Sequence, residues 1–87
     1  MELNVRIGDL ELRSCNETLT SFGEHTTFEI VLWNNHSNVN CHTVAYWNKQ
    51  KDFIVVGKRL NDSNIDKHDF FMLYSLSCGL IDRINKD

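Results

Sequence analysis

Three cysteines and four histidines give this 87-residue chain an unusual share of metal-binding side chains. Zinc is the metal that fits them, because structural zinc sites use about four thiolate and imidazole ligands in a tetrahedron. His36 and Cys41 flank one short polar segment, and Cys15 and His25 flank another. The sequence therefore predicts a structural Zn²⁺ bound by these four residues. In the alternative reading, the thiols are small buried hydrophobes and the imidazoles lie on the surface.

Catalytic patterns are absent from the sequence. No C-x-x-C pair or glycine-rich phosphate-binding motif occurs, and the carboxylates are scattered along the chain. Cys41 with a histidine could form a nucleophilic pair, but a domain of this length has little room for a substrate cleft. The sequence therefore predicts a protein that is not an enzyme.

The charge balance indicates a protein partner. Nine Lys and Arg residues face twelve Asp and Glu residues, for a net charge of -3, which argues against direct binding to nucleic acid. An acidic surface can instead steer association with a basic groove of another protein. The predicted partner-binding residues are Glu24, Asp62, Asp66, Asp69 and Trp47. The alternatives are an ordinary solvated face that complements the helix dipole, and a core position for Trp47.

The elements that must position these residues are mostly strands. Residues 2–7 and 10–15 alternate apolar and polar side chains on either side of Gly8-Asp9, which predicts a β-hairpin. Three further strands are predicted at 26–33, 41–47 and 53–57 from their β-branched and aromatic residues. Within 41–47, strict alternation predicts Cys41, Thr43, Ala45 and Trp47 on one face. The continuous apolar run at 53–57 predicts a central strand covered on both faces.

The C-terminal quarter of the chain predicts one long helix. Asp66 or Ser63 can cap its start, and apolar residues recur at spacings of three and four up to Lys86. Its inward residues are predicted to be Phe70, Leu73, Tyr74, Cys78 or Ser77, Leu80, Ile81 and Ile84. Gly79 lies within this helix and suggests a close approach to the sheet or to a partner. The fold class is therefore α+β, an antiparallel sheet of about five strands with the helix on one face.

The length and the N-terminal residues predict a single domain inside a cell. A chain of 87 residues predicts one domain over 1–87, and no apolar run reaches the roughly 18 residues of a membrane span. The segment from Met1 to Arg6 has no signal-peptide core, which predicts a cytoplasmic location.

Several segments resemble small phage and prophage proteins of low-GC Gram-positive bacteria. The segments are 28–33, 41–47 with its Thr-Val-Ala-Tyr-Trp run, 53–59 with its Val-Gly-Lys-Arg end, and Asp69-Phe70-Phe71. The similarity covers about residues 28–80, and Leu60 stands where such proteins often have proline. Among acidic phage proteins of this size are the type II-A anti-CRISPR proteins, which bind Cas9. The resemblance implies a role and no site residues.

The function expected from this resemblance is inhibition of a host defence protein. The protein would bind Cas9 in the cytoplasm of the infected bacterium and block engagement of nucleic acid by occlusion. A bound zinc ion would stabilise the small domain. The alternative is a phage accessory or structural protein that acts through self-association.

Overall fold

A computed structural model describes residues 3–15, 26–33, 41–57 and 65–86, without the side chains of the last two. Five strands form one antiparallel sheet in chain order, a meander, and one helix follows them. The elements are β1 Asn4–Ile7, β2 Leu10–Ser14, β3 Thr26–Trp33, β4 Cys41–Asn48, β5 Phe53–Val55 and α1 Lys67–Lys86. The α+β class, the five strands and the C-terminal helix are confirmed. The predicted loops at 16–25 and 34–38 lie outside the described residues.

The first hairpin closes through a two-residue turn that depends on glycine. Gly8 has a φ of 59°, a backbone conformation that side chains with a Cβ rarely adopt. A positive φ at the first turn residue is what a type II′ hairpin turn requires. Ile7 then pairs with Leu10, and the register continues to Asn4 opposite Arg13. The predicted hairpin is confirmed.

A β-bulge divides β4 into two halves that present opposite alternations. Ala45 pairs with Ile30, but Thr43 pairs with the adjacent Val31, so Val44 is the extra residue. Val44 joins the core together with Trp47. The prediction that residues 41, 43, 45 and 47 share one face is therefore wrong. The extra residue shifts the alternation by one position, so residues 41 and 43 lie on the face opposite to residues 45 and 47.

The strand β5 lies at the edge of the sheet and not at its centre. It spans only three residues and pairs with β4 alone. Phe53 packs against the core, whereas Val55 is exposed. The central position predicted from the apolar run is wrong, because the meander adds each strand beside its predecessor and, in the described part of the chain, gives the last strand no outer neighbour.

The helix α1 begins at the predicted cap. The Oδ1 atom of Asp66 accepts hydrogen bonds from the backbone N–H groups of His68 at 2.9 Å and Asp69 at 3.1 Å. These two donors have no partner within the helix, so the cap stabilises its first turn. Ile65 and Phe70 occupy the positions of a hydrophobic staple across this cap. The predicted helix and its Asp66 cap are confirmed.

One core joins the helix to the sheet. Its buried members are Leu10, Leu12, Phe28, Ile30, Leu32, Val44, Trp47, Ile65, Leu73 and Ile81. Ser77 lies fully buried among them, and its Oγ accepts a 2.7 Å hydrogen bond from Nε1 of Trp47. The same hydroxyl donates to the carbonyl of Tyr74 at 2.6 Å. The two polar groups are thus satisfied within the core, which sets the rotation of α1 against the sheet.

Candidate interaction surface

The described thiols of the predicted zinc site lie far apart. The N–H of Cys15 bonds the carbonyl of Thr27, and Cys41 pairs with Trp33 at the other end of β3. Six residues of strand separate these levels, roughly 20 Å at about 3.3 Å per residue. Two thiolates on one zinc ion lie within about 4 Å of each other, since each Zn–S bond is about 2.3 Å. The structure does not bring Cys15 and Cys41 together.

The remaining predicted zinc ligands are the two histidines. His25 and His36, the other two predicted ligands, lie outside the described residues. Among residues 3–15, 26–33, 41–57 and 65–86, no group of three or more His, Cys, Asp or Glu side chains could hold a metal ion. Zinc binding stays a prediction. Elemental analysis of a chelator-free preparation tests it, and less than about 0.2 zinc per chain would exclude a structural ion.

The sheet face opposite α1 carries a partly buried ion pair. Glu29 is only 8% exposed, and its carboxylate accepts hydrogen bonds from Nε of Arg13 and from Oγ1 of Thr43. Burial by itself would lower the pKa of Arg13, but the hydrogen bond and charge of Glu29 outweigh it and raise that pKa above its ordinary value. The three side chains come from β2, β3 and β4, so this pair ties the sheet together across its width.

Trp33 lies on the same sheet face in a second polar arrangement. Its Nε1 donates a 3.0 Å hydrogen bond to the Glu11 carboxylate. The guanidinium of Arg6 stands 5.3 Å from the Trp33 ring centroid, within the range of a cation–π interaction. These contacts fix the half-buried Trp33 against β1 and β2.

The thiol of Cys15 should react slowly with alkylating reagents at neutral pH. Burial, followed by the charge of Glu29, raises the pKa of its thiol from 9.0 to about 11. The thiolate is the reactive form, so at pH 8 we expect Cys15 to react with iodoacetamide about 100-fold more slowly in the folded protein than in urea. Because the folded protein holds this proton more tightly, the contribution to stability is present below pH 9.0 and is lost as pH rises towards 11. Peptide mapping of the alkylated protein measures the rate, and equal rates in both conditions would contradict the shift.

The predicted acidic patch is only partly described. Asp66 is exposed, but its carboxylate caps α1, which gives it a structural role. Asp69 is half-buried, and a Cβ added at Gly8 would lie 3.0 Å from its Oδ2 atom. Glu24 and Asp62 lie outside the described residues. The structure thus places both described carboxylates at the start of the helix, with Asp69 beside the β1–β2 turn.

Trp47 belongs to the core. Its side chain is 9% exposed, its ring stacks on Tyr74 at a centroid distance of 6.2 Å, and it lies 5.1 Å from Phe53. The strand pairing with Phe28 directs it towards α1. A partner therefore meets little of this ring, and the role that the structure gives it is packing between sheet and helix.

A different apolar surface is exposed, on the side of α1 that faces away from the sheet. Phe71, Met72 and Leu76 are 64%, 48% and 42% exposed, and Ser75 and Gly79 lie between and beside them. These five residues are called here the outer helix face. Large apolar side chains grouped on one surface typically mark a site of protein interaction. The outer helix face is thus the candidate binding surface.

Gly79 has no role in packing the helix on the sheet. Among the described residues, and apart from the neighbouring residues and backbone of α1 itself, no atom lies within 4 Å of the position that a Cβ would take there, and the residue is exposed. Glycine within a helix costs about 1 kcal/mol relative to alanine, so its presence calls for a reason. Close approach to the sheet, one of the two reasons predicted from the sequence, is excluded. Close approach of a partner, the other predicted reason, stays a prediction.

Replacing Gly79 by alanine should therefore stabilise the protein. We expect Gly79→Ala to raise the free energy of unfolding by about 1 kcal/mol, because alanine loses less backbone entropy and meets no neighbour. Urea denaturation at low protein concentration measures the change. Ser75→Ala, an exposed substitution one turn earlier, is the control and should change stability by less than about 0.5 kcal/mol. A destabilised Gly79→Ala variant would show that the glycine is needed within the folded chain.

The apolar spacing of three and four in the helix predicts only one stripe, the one that packs on the sheet, and the outer helix face lies outside it. Met72 and Leu76 are spaced four apart, as residues on one helix face are, but they lie beside the stripe that contains Leu73 and Ile81. The sequence therefore contains a second apolar stripe. Because one sheet covers only one side of a helix, this stripe was the available signal for an exposed apolar face.

Comparison with known proteins returns no significant match to any family model, curated protein or solved structure. In the described part of the chain, no helix combines the length and apolar character that a membrane span needs.

Proposed function

We propose that this protein is a non-enzymatic inhibitor that binds another protein through the outer helix face and acts by occlusion. The observation that carries the proposal is the exposure of three large apolar side chains, Phe71, Met72 and Leu76, on the part of α1 that the sheet leaves uncovered. Burying such side chains against a partner removes apolar area from water at about 25 cal/mol per Å². A rigid helix also loses little conformational entropy when it docks.

The proposed target is a nucleic-acid-binding host defence protein, and Cas9 is the first one to test. Two sequence observations support this choice, the resemblance of residues 28–80 to small phage proteins and the net charge of -3. A negative body is attracted to the basic channel in which such a protein holds nucleic acid. The apolar helix face would then supply affinity at short range, and the bound domain would block entry of the guide or the target DNA.

Binding of target DNA by purified, guide-loaded Cas9 tests the proposal. We expect the protein to abolish DNA binding, and Met72→Glu and Leu76→Glu each to weaken inhibition by at least about tenfold, since a charge is then buried at the interface. Both residues are exposed, so neither substitution disturbs the core.

Val55→Glu is the matched control for these variants. Val55 is 41% exposed and lies on the edge strand β5, so the substitution adds the same charge outside the outer helix face. It should leave inhibition within about twofold of the original protein. Unchanged DNA binding at a large molar excess of the protein would refute Cas9 as the target. Equal losses from Val55→Glu and Leu76→Glu would refute the outer helix face as the binding surface.

A further inference from the structure

We propose that, in the free protein, a second copy of the chain covers the outer helix face, with the two α1 helices antiparallel, and that the target must displace it. The pairing stands on the geometry of α1 alone. The displacement step rests on the proposed function.

The exposed side of α1 carries the spacing of a helix–helix seam. Five exposed residues follow one another at intervals of four, three, four and three: His68, Met72, Ser75, Gly79 and Asp82. This alternation keeps a stripe of residues directed at a neighbouring helix. None of the five belongs to the core that α1 forms with the sheet. The helix thus has one stripe for its own sheet and another for a second helix.

The seam is complementary to itself when the helices run in opposite directions. Met72 and Gly79 are seven residues apart, about 10 Å along the helix axis. A twofold axis near Ser75 and Leu76 places Met72 of each copy opposite Gly79 of the other, so each long side chain meets the residue with no side chain. Such an interface repeats the same contact twice, as a twofold dimer requires. The open space at Gly79 is then the place where Met72 of the second copy packs.

Charges on both sides of the seam agree with this register. Asp69, Leu76 and Arg83 are seven apart along one flank, and the antiparallel register places Asp69 of one copy opposite Arg83 of the other. His68 faces Asp82 of the other copy in the same way. In a parallel twofold pair each flank faces the opposite flank of the partner, so Asp69 and Arg83 would lie on different sides of the seam. Only the antiparallel register brings these opposite charges together, so the pattern favours a second copy that runs antiparallel.

The expected dimer is weak enough to give way to a target. The seam from His68 to Asp82 is about 21 Å long at 1.5 Å per residue, which corresponds to an interface at the small end of the specific range. Met72 lies in the seam and Leu76 on its flank, and both belong to the outer helix face that the target would bury. Target binding and self-association are therefore mutually exclusive.

Sedimentation equilibrium of the whole chain tests the pairing without any target. The weight-average mass should rise from 10.2 kDa towards twice that value as concentration increases from about 10 µM to 1 mM. Arg83→Asp and Asp69→Arg should each weaken association by at least about tenfold, because each brings like charges together. The double variant restores opposite charges and should associate within about threefold of the original protein.

Lys49→Asp is the matched control for Arg83→Asp. It makes the same change in net charge at an exposed residue of the β4–β5 turn, and it should leave association unchanged. Circular dichroism verifies that each variant is folded. A monomer at all concentrations would overturn the pairing, and so would a charge-swapped double variant that stays as weak as the single ones. A dimer without effect on Cas9 refutes the proposed function alone, whereas inhibition by a strictly monomeric protein refutes the pairing alone.

Discussion

Replacing Leu73 by alanine is expected to lower the free energy of unfolding by about 3 kcal/mol, within the usual range for a fully buried leucine. Leu73 is completely inaccessible to solvent and lies in the core between α1 and the sheet. Truncation removes the apolar contacts and leaves a cavity that the surrounding strands can only partly fill. Folded domains are stable by about 5–15 kcal/mol, so this loss is a large share of the total.

Leu76 provides a matched control on the same helix. It is 42% exposed and lies three residues after Leu73, so Leu76→Ala makes the same chemical change on the outer helix face. We expect it to change stability by less than about 0.5 kcal/mol. Urea denaturation of the two variants at the same low protein concentration measures both values. Equal losses at the two positions would show that α1 does not pack as described.

The second large effect is expected at the ion pair on the opposite sheet face. Arg13→Met keeps most of the apolar stem but removes the guanidinium that neutralises the buried Glu29 carboxylate. Thr43 then remains as one hydrogen-bond donor to that carboxylate. We expect the free energy of unfolding to fall by about 2 kcal/mol, the cost of leaving a buried charged acceptor underpaired. The side chain of Arg13 is itself 35% exposed, which keeps the loss below that of a fully buried pair.

A double variant separates this cause from general damage to the sheet. In Arg13→Met/Glu29→Gln the buried group is neutral, so more than half of the lost stability should return. Arg83→Met removes an exposed arginine on α1 and is the control for loss of positive charge, expected within about 0.5 kcal/mol at a concentration where the chain is monomeric. If the double variant is no more stable than Arg13→Met, the carboxylate of Glu29 is not what makes Arg13 necessary.

Local patterns in the sequence determined the secondary structure. Alternation on either side of Gly8 predicts the hairpin, because a strand directs successive side chains to opposite faces and the turn needs a positive φ. The cap at Asp66 and the apolar spacing from Phe70 to Ile84 predict the helix for similar reasons. Each of these signals depends on residues within a few positions of one another. The α+β class follows from them, since one apolar helix stripe must cover one sheet face.

Only the tertiary structure decided which residues lie at the surface. Met72 and Leu73 are adjacent and similarly apolar, yet one is 48% exposed and the other is buried, because α1 has a sheet on one side only. The bulge at Val44, the inward position of Trp47 and the burial of Glu29 also depend on strands distant in sequence. Such contacts form when the whole sheet and helix pack together. The candidate interaction surface is defined by what that packing leaves uncovered, and no short stretch of sequence contains that information.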